Sequence, residues 1–345
     1  MILFFQLKSR FIDCDFIGKS SIKRTEMLKK YNRRDFIRQG ILTGTLIPMA
    51  PYYTLAAPLD PPTMGDELNV SIFSKHLQFL DYKDMSAVVA DMGFDGVELT
   101  VRKRGHVLPE NVVDDLPKAI SAIRESGIKA DMIVTGIKEL NSQTRTILET
   151  AAGLGVKYYR MGYLRYPETG SIPEALEQFK RQMKELGEFN KSLGIQGCYQ
   201  NHSGIHVGGN IWEVSEILED TDKDSMGAQY DIRHAVAEGG RSWPNGIRLL
   251  KDRITTIVIK DFRWEKIDGK WQIYNTPLGE GMVDFTAYFK ILKENGIKVP
   301  VTIHYEYDLY GVEHGGTEVD ESNRKKVYEA MKKDLDLVRQ WWREA

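Results

Sequence analysis

Apolar and polar positions along the chain repeat one unit five times between Asp91 and Lys298: an amphipathic run, a glycine, then a β-branched or aromatic start. It reads "ADMGFDGVEL", "RESGIKADMIV", "AGLGVKYYRMG", "KSLGIQGCYQN" and "KENGIKVPVTI", with glycines at 93, 127, 155, 194 and 296. Each glycine stands where a helix needs a left-handed residue before the chain turns into a strand. Five such junctions predict repeated βα units and hence a parallel sheet.

Extending the pattern gives eight strands, near 68–73, 94–100, 128–134, 156–162, 195–200, 227–231, 254–260 and 299–306. The helices between them include 110–126, 173–192, 284–295 and 320–343. The second of these carries Leu176, Phe179, Met183, Leu186 and Phe189 at helical spacing, a face that packs on a sheet. Eight strands in about 280 residues predict a (β/α)8 TIM barrel, one α/β domain over residues 63–345. The doubly wound alternative lacks a GxGxxG after the first strand. The last helix, with Trp341 and Trp342, is expected to close the barrel against the first unit.

Residues 1–57 read differently. A basic "KKYNRRDFIRQG" precedes the weakly apolar "ILTGTLIPMAPYYTLAAP", the order of a twin-arginine-type signal peptide ending in small residues. Met27 opens a more usual signal peptide and is an alternative start; an amphipathic first helix is the competing interpretation. Pro48 and Pro51 interrupt an apolar run too short to span a bilayer, so stable membrane insertion is not expected. The expectation is an exported, periplasmic protein.

Composition alters this picture only through charge. The whole chain has 47 Lys/Arg and 49 Asp/Glu; the leader holds ten and four of these. Its removal leaves 37 against 45, a net charge of −8, which gives no electrostatic case for a nucleic-acid partner. The two cysteines, Cys14 and Cys198, form neither a disulfide framework nor a zinc spacing.

Barrels of this kind place their chemistry at the C-terminal strand ends. Those ends supply Glu98, Asp131, Arg160, Gln200 with His202, Asp231 with His234, Lys260 with Asp261, and His304 with Glu306. Several have purely structural alternatives. Glu98 suits a salt bridge to Arg102 or Arg160, Arg160 a pair with Asp131, and Asp131 a loop cap. Alternation against Lys260 turns Asp261 outward, and His304 lies one layer below Glu306, where a core histidine is as reasonable as a ligand. In "YDIRHA" a strand-end carboxylate precedes an imidazole by three residues, so Asp231 and His234 can share one rim site. Asp231, Glu306 and the side-chain oxygen of Gln200 converge from strands six, eight and five, a donor set suited to Mn²⁺, Zn²⁺, Co²⁺ or Mg²⁺.

From about residue 68 onward the chain resembles the xylose isomerase-like barrel superfamily, the sugar phosphate isomerase/epimerase group that also includes endonuclease IV. The matching pieces are "GFDGVEL", "QNHSG", "DIRHA", "IKDF", "PLGEGMVDF" and "HYEYD". The resemblance implies a divalent metal held by Glu, Asp, His and Glu from strands five to eight, polarising a sugar carbonyl or enediolate. Asp231 and Glu306 match that set. Gln200 stands at the strand-five glutamate, and Val258 at the strand-seven histidine. The site thus loses a charge and an imidazole. A weakened metal is the adopted expectation, with His202, His234, His304 or waters filling the vacancy; alternatively Lys260 itself is the cation.

The expected function is an exported sugar isomerase/epimerase-type enzyme that abstracts a proton next to a carbonyl. Glu98 or Lys260 would carry the proton, with His202, His234, His304 and Arg160 orienting hydroxyls on a sugar or keto-sugar substrate. A 3-keto-glycoside lyase of the same fold is one alternative, and a non-catalytic carbohydrate-binding barrel without metal is another. Endonuclease-type repair is disfavoured by the −8 charge and the missing histidine. Homo-oligomerisation stays open.

Overall fold

The computed structural model describes residues 66–345; the leader expected at 1–57 lies outside them. Eight parallel strands close into a barrel: β1 (Val70–Phe73), β2 (Gly96–Val101), β3 (Lys129–Thr135), β4 (Tyr158–Arg160), β5 (Gln196–Gln200), β6 (Met226–Asp231), β7 (Ile254–Ile259) and β10 (Val301–Ile303). Each pairs with its sequence neighbour, and β10 pairs with both β7 and β1. This is the (β/α)8 arrangement expected.

The helices around it are α1 (Tyr82–Met92), α2 (Val112–Glu125), α3 (Ser142–Gly153), α4 (Ile172–Leu193), α5 (Ile211–Ile217), α6 (Ile232–Gly239), α7 (Trp243–Leu250), α8 (Phe285–Glu294) and α9 (Glu321–Glu344). α4 illustrates how the sequence makes them. Ser171 caps its N-terminus by accepting from the Glu174 N–H, and Pro173 fits the first turn, where no N–H is needed. Leu176, Phe179, Met183 and Leu186 are then buried against the barrel, each contributing about 1.5–3 kcal/mol. Gly194 ends the helix at φ 68°, and the other four junction glycines also have positive φ. At the closing end, Trp342 is buried with its indole N–H donating to the Asp66 carbonyl, and Arg339 pairs with Asp95 beside α1.

One feature departs from the regular alternation. After β7 the chain forms an antiparallel hairpin, β8 (Asp261–Ile267) and β9 (Lys270–Thr276), absent from the eight-strand expectation. Its turn is Asp268-Gly269, both at positive φ, the dipeptide that suits a tight hairpin. The hairpin stands at the mouth of the barrel: the Asn275 amide donates to the Glu306 carbonyl and accepts from Arg233.

Candidate active site

The site residues arise where strand alternation runs out into loops. In "CYQNHSG", Gln200 and His202 face the barrel axis. Asn201 points the other way, its amide accepting from the Asp231 N–H at 2.8 Å and donating to the Asp231 carbonyl at 3.0 Å. That double clamp fixes β5 against β6 at the mouth. Asp231 also caps α6, with Oδ1 accepting from the His234 N–H at 3.1 Å. The capping geometry brings the imidazole back over the carboxylate.

At the centre is an ammonium group. Lys260 Nζ lies 3.1 Å from Asp231 Oδ2 and 2.8 Å from His234 Nε2, with its side chain only 5% exposed. Gln200 bridges the next pair of charges. Its Oε1 accepts from Arg160 Nη1 at 3.0 Å and from the Tyr163 hydroxyl at 2.7 Å, while its Nε2 donates to Asp231 Oδ2 at 2.7 Å. The reverse amide orientation would set an NH2 against a guanidinium and an oxygen against a carboxylate, so the partners fix it.

Above this tier are more accessible groups. Glu306, 28% exposed at its side chain, pairs with Lys75 at 3.3 Å; Lys75 comes from the single 3-10 turn, Ser74–Leu77, after β1. Burial pushes the Glu306 carboxyl up, but Lys260 and Lys75 outweigh that and hold it well below the usual carboxylate range. His202 packs, with its ring tilted, against His234 at 4.1 Å and Tyr163 at 4.4 Å between ring centroids. Burial, reinforced by Lys260, lowers the His202 imidazole to about 3. Burial and Lys260 also keep His234 well below its ordinary value, so it is neutral at pH 7. The Ser203 hydroxyl and Arg233 lie against its Nδ1, at 2.8 and 2.9 Å. Tyr163, by contrast, is pushed up to about 12 by burial, so it remains a phenol and a donor.

Below lies an enclosed group. Glu98 is fully buried and accepts from Gln229 Nε2 at 2.7 Å, with His304 Nε2 at 2.9 Å from its other oxygen. His304 stacks on Phe73 at 4.3 Å. Burial raises the Glu98 carboxyl and drives His304 well below its usual value, pushing both toward neutral forms. Glu98 is thus tied to Gln229 and His304, rather than ion-paired to Arg102 or Arg160. It sits beneath the mouth, fully buried, and supports the site from below.

The structure brings together Arg160, Gln200, His202, Asp231, His234, Lys260 and Glu306, and places Glu98 with His304 one layer deeper. Asp131 lies away from them, paired with Lys157. Asp261 likewise points out of the site: it accepts from the N–H groups of Phe262, Gly279, Gly281 and Val283, holding the "PLGEG" loop. Four participants escaped the sequence reading, and a fifth, Arg102, entered it only as a partner for Glu98. Lys75 sits two residues beyond Phe73, in step with β1; Tyr163 follows Arg160 by three; Gln229 precedes Asp231 by two; Arg102 directly follows β2, and Arg233 comes two residues after the cap Asp231. Alternation carried one step past the end of β1 reaches Lys75, and one step back from Asp231 within β6 reaches Gln229.

The donor set does not fit a divalent ion. The Gln200 oxygen, expected as a ligand, is committed to a guanidinium and a phenol, and its amide nitrogen is what faces Asp231. Val258, level with Asp231 in the β6–β7 register, offers an alkyl group. The Asp231 carboxylate is met by Lys260 and the Glu306 carboxylate by Lys75. Among the described residues no three His, Cys, Asp or Glu groups are arranged to hold a metal ion. Hard-cation sites need converging oxygen or neutral imidazole donors, and a fixed ammonium between them is a competing cation.

Comparison with known proteins agrees with this architecture. Inosose dehydratase of Lacticaseibacillus casei is 25% identical over 144 residues, covering 38% of this chain and 47% of that protein. The chain therefore spans about half the length of the curated relatives it matches. Among solved structures, the apo form of the E. coli 3-keto-D-glucoside 4-epimerase YcjR superposes with a TM-score of 0.58 at 14% identity, covering 78% of this chain and all of that one. The IOLI protein, described with a bound zinc atom, gives a TM-score of 0.63 at 17% identity over 79% of this chain and 99% of its own. The sequence signature of the xylose isomerase-like TIM barrel matches residues 86–331, and the chain belongs to that family.

Proposed function

We propose that the protein is a sugar-modifying enzyme that moves a proton at the carbon beside a carbonyl, with the Lys260 ammonium as its resident cation. The observation that carries this reading is Lys260 Nζ, fixed between Asp231 and His234 at the C-terminal mouth of the barrel. Related proteins are named as epimerases and dehydratases. Epimerisation and elimination both can begin by removing a proton next to a carbonyl, so the two names share a first step.

In that step Lys260 faces the carbonyl oxygen and neutralises the charge that develops there. A preorganised cation in a water-poor site is worth far more than in solution. Asp231 and His234 hold the ammonium in place, and the Gln200 amide holds Asp231. Glu306 is the mouth carboxylate open to a ligand, since Asp231 and Glu98 are enclosed; Lys260 and Lys75 keep it ionised, and it is the group proposed to accept the proton. Tyr163 and His202 are placed to hold substrate hydroxyls.

The test is solvent deuterium exchange, followed by NMR, on a panel of ketoses and 3-keto-glycosides. Lys260→Met should lower exchange by about 100-fold or more, the scale of removing one oxyanion-stabilising group. Undiminished exchange in that variant would remove Lys260 from the mechanism. Absence of exchange with every sugar would favour a carbohydrate-binding barrel without turnover.

Export is proposed on residues 1–57 alone. N-terminal sequencing of protein from a periplasmic fraction tests it, with a start near residue 58 as the expected result.

A further inference from the structure

The mouth of the barrel holds more positive charge than its acids use. Lys75 pairs with Glu306 and Lys260 with Asp231, while Glu98 is enclosed with Gln229 and His304. Three guanidinium groups are left over; Arg233 is spent on Ser203, His234 and Asn275, and the other two are Arg160 and Arg102. The Arg160 and Arg102 guanidinium carbons lie 5.5 and 5.7 Å from the centroid of the Phe73 ring, so both converge on one side of the mouth. Arg160 is 4% exposed and donates only to neutral partners, Tyr163 and Gln200. Among the described residues the Arg102 guanidinium has no hydrogen bond and no carboxylate partner, and Nε of each arginine is buried without an acceptor.

Such an arrangement is costly. A buried donor without a partner forfeits about 1–3 kcal/mol, and two like charges near one ring repel. Of the charges acting on Arg102, Arg160 is the strongest, and it is unfavourable. Beside Arg102 opens a cleft of about 420 Å³, within the range of small-molecule sites, and Lys103 and Lys138 line it with Glu139 as its one acid. The surplus is local, because the residues after the leader carry a net charge of −8.

We infer that the substrate is an oxyanionic sugar, carrying a carboxylate or phosphate group that seats between Arg102 and Arg160 on the β2–β4 side of the mouth. The guanidinium fork matches both groups in bidentate fashion, and one anion would satisfy the idle donors and neutralise the repulsion together. The carbonyl end of the sugar would then lie toward Lys260 and Glu306. This deepens the proton-transfer reading and rests on it for the placement of the reacting end only.

Isothermal titration of the full chain with D-glucuronate, D-glucose 6-phosphate and D-glucose tests the inference. At least one oxyanionic sugar should bind tenfold or more tightly than glucose, and which one does so identifies the anion. Arg102→Gln should reduce that affinity at least tenfold with a melting temperature no lower than that of the wild type, and Arg102→Lys should recover part of the affinity. Arg263→Gln, which removes the same charge from the exposed hairpin, should leave it unaltered. Equal binding of all three sugars, or equal losses in Arg102→Gln and Arg263→Gln, would overturn the inference. Deuterium exchange separates the two proposals. Exchange on neutral ketoses without oxyanion preference sinks only the anion site, whereas tight uronate or phosphate binding without exchange on any sugar sinks only the proton-transfer reading.

Discussion

Gln200 shows how one atom changes a site. A glutamate there would face Asp231 with like charge and invite a cation between them. The amide instead donates to Asp231 and accepts from Arg160 and Tyr163, tying carboxylate and guanidinium together without an ion. Gln200→Glu should therefore cost about 1.5–3 kcal/mol, because it replaces a charge-assisted hydrogen bond with carboxylate repulsion. A urea-unfolding midpoint would report it, and a gain in stability on adding Mn²⁺ or Zn²⁺ would return Gln200 to the ligand role. The position and the departure were both legible in the sequence, since alternation put Gln200 inward and the resemblance marked it as altered. Its partners were not legible, because Tyr163 reaches it from a loop and Arg160 from a neighbouring strand whose rotamer the sequence does not specify. That Lys260 meets the Asp231 carboxylate expected to hold a weak metal was not legible for the same reason: whether a lysine points into the ligand ring or past it depends on packing.

Among the elements, the repeated helix–glycine–strand junction was the most readable, since both a 3.6-residue and a two-residue period had to change at a left-handed residue. The β8–β9 hairpin was missed. Its strands alternate like any others, and only Asp268-Gly269 distinguishes a hairpin from a βα loop. Its base is fixed by Asp261, whose carboxylate collects four backbone N–H groups from 262–283. Asp261→Ala would strand those donors in a partly buried loop and should destabilise the protein by about 3 kcal/mol. It should also loosen Asn275 from Arg233, so weaker sugar binding should accompany the loss of stability. A variant with normal stability and normal binding would show that the loop holds itself.

For the whole molecule, barrel closure by α9 has its own pH signature. Asp334, on α9, is 1% exposed with one hydrogen bond from the Tyr307 hydroxyl, and burial raises its carboxyl to about 7. A folded-state value above the unfolded one means stability that is fully present below about pH 4 and lost as pH rises through about 7. Asp334→Asn should therefore stabilise the protein at pH 8 by about 2 kcal/mol more than at pH 5; a pH-independent difference would contradict the assignment. The proposal that the Lys260 ammonium, rather than a divalent ion, serves the Asp231 carboxylate likewise concerns the purified whole. It is tested most directly by elemental analysis of the protein after dialysis against equimolar Mn²⁺, Zn²⁺ and Co²⁺. The account predicts well under 0.1 metal ion per chain, in the wild type and in Asp231→Ala alike. One ion per chain in the wild type, lost in Asp231→Ala, would contradict it.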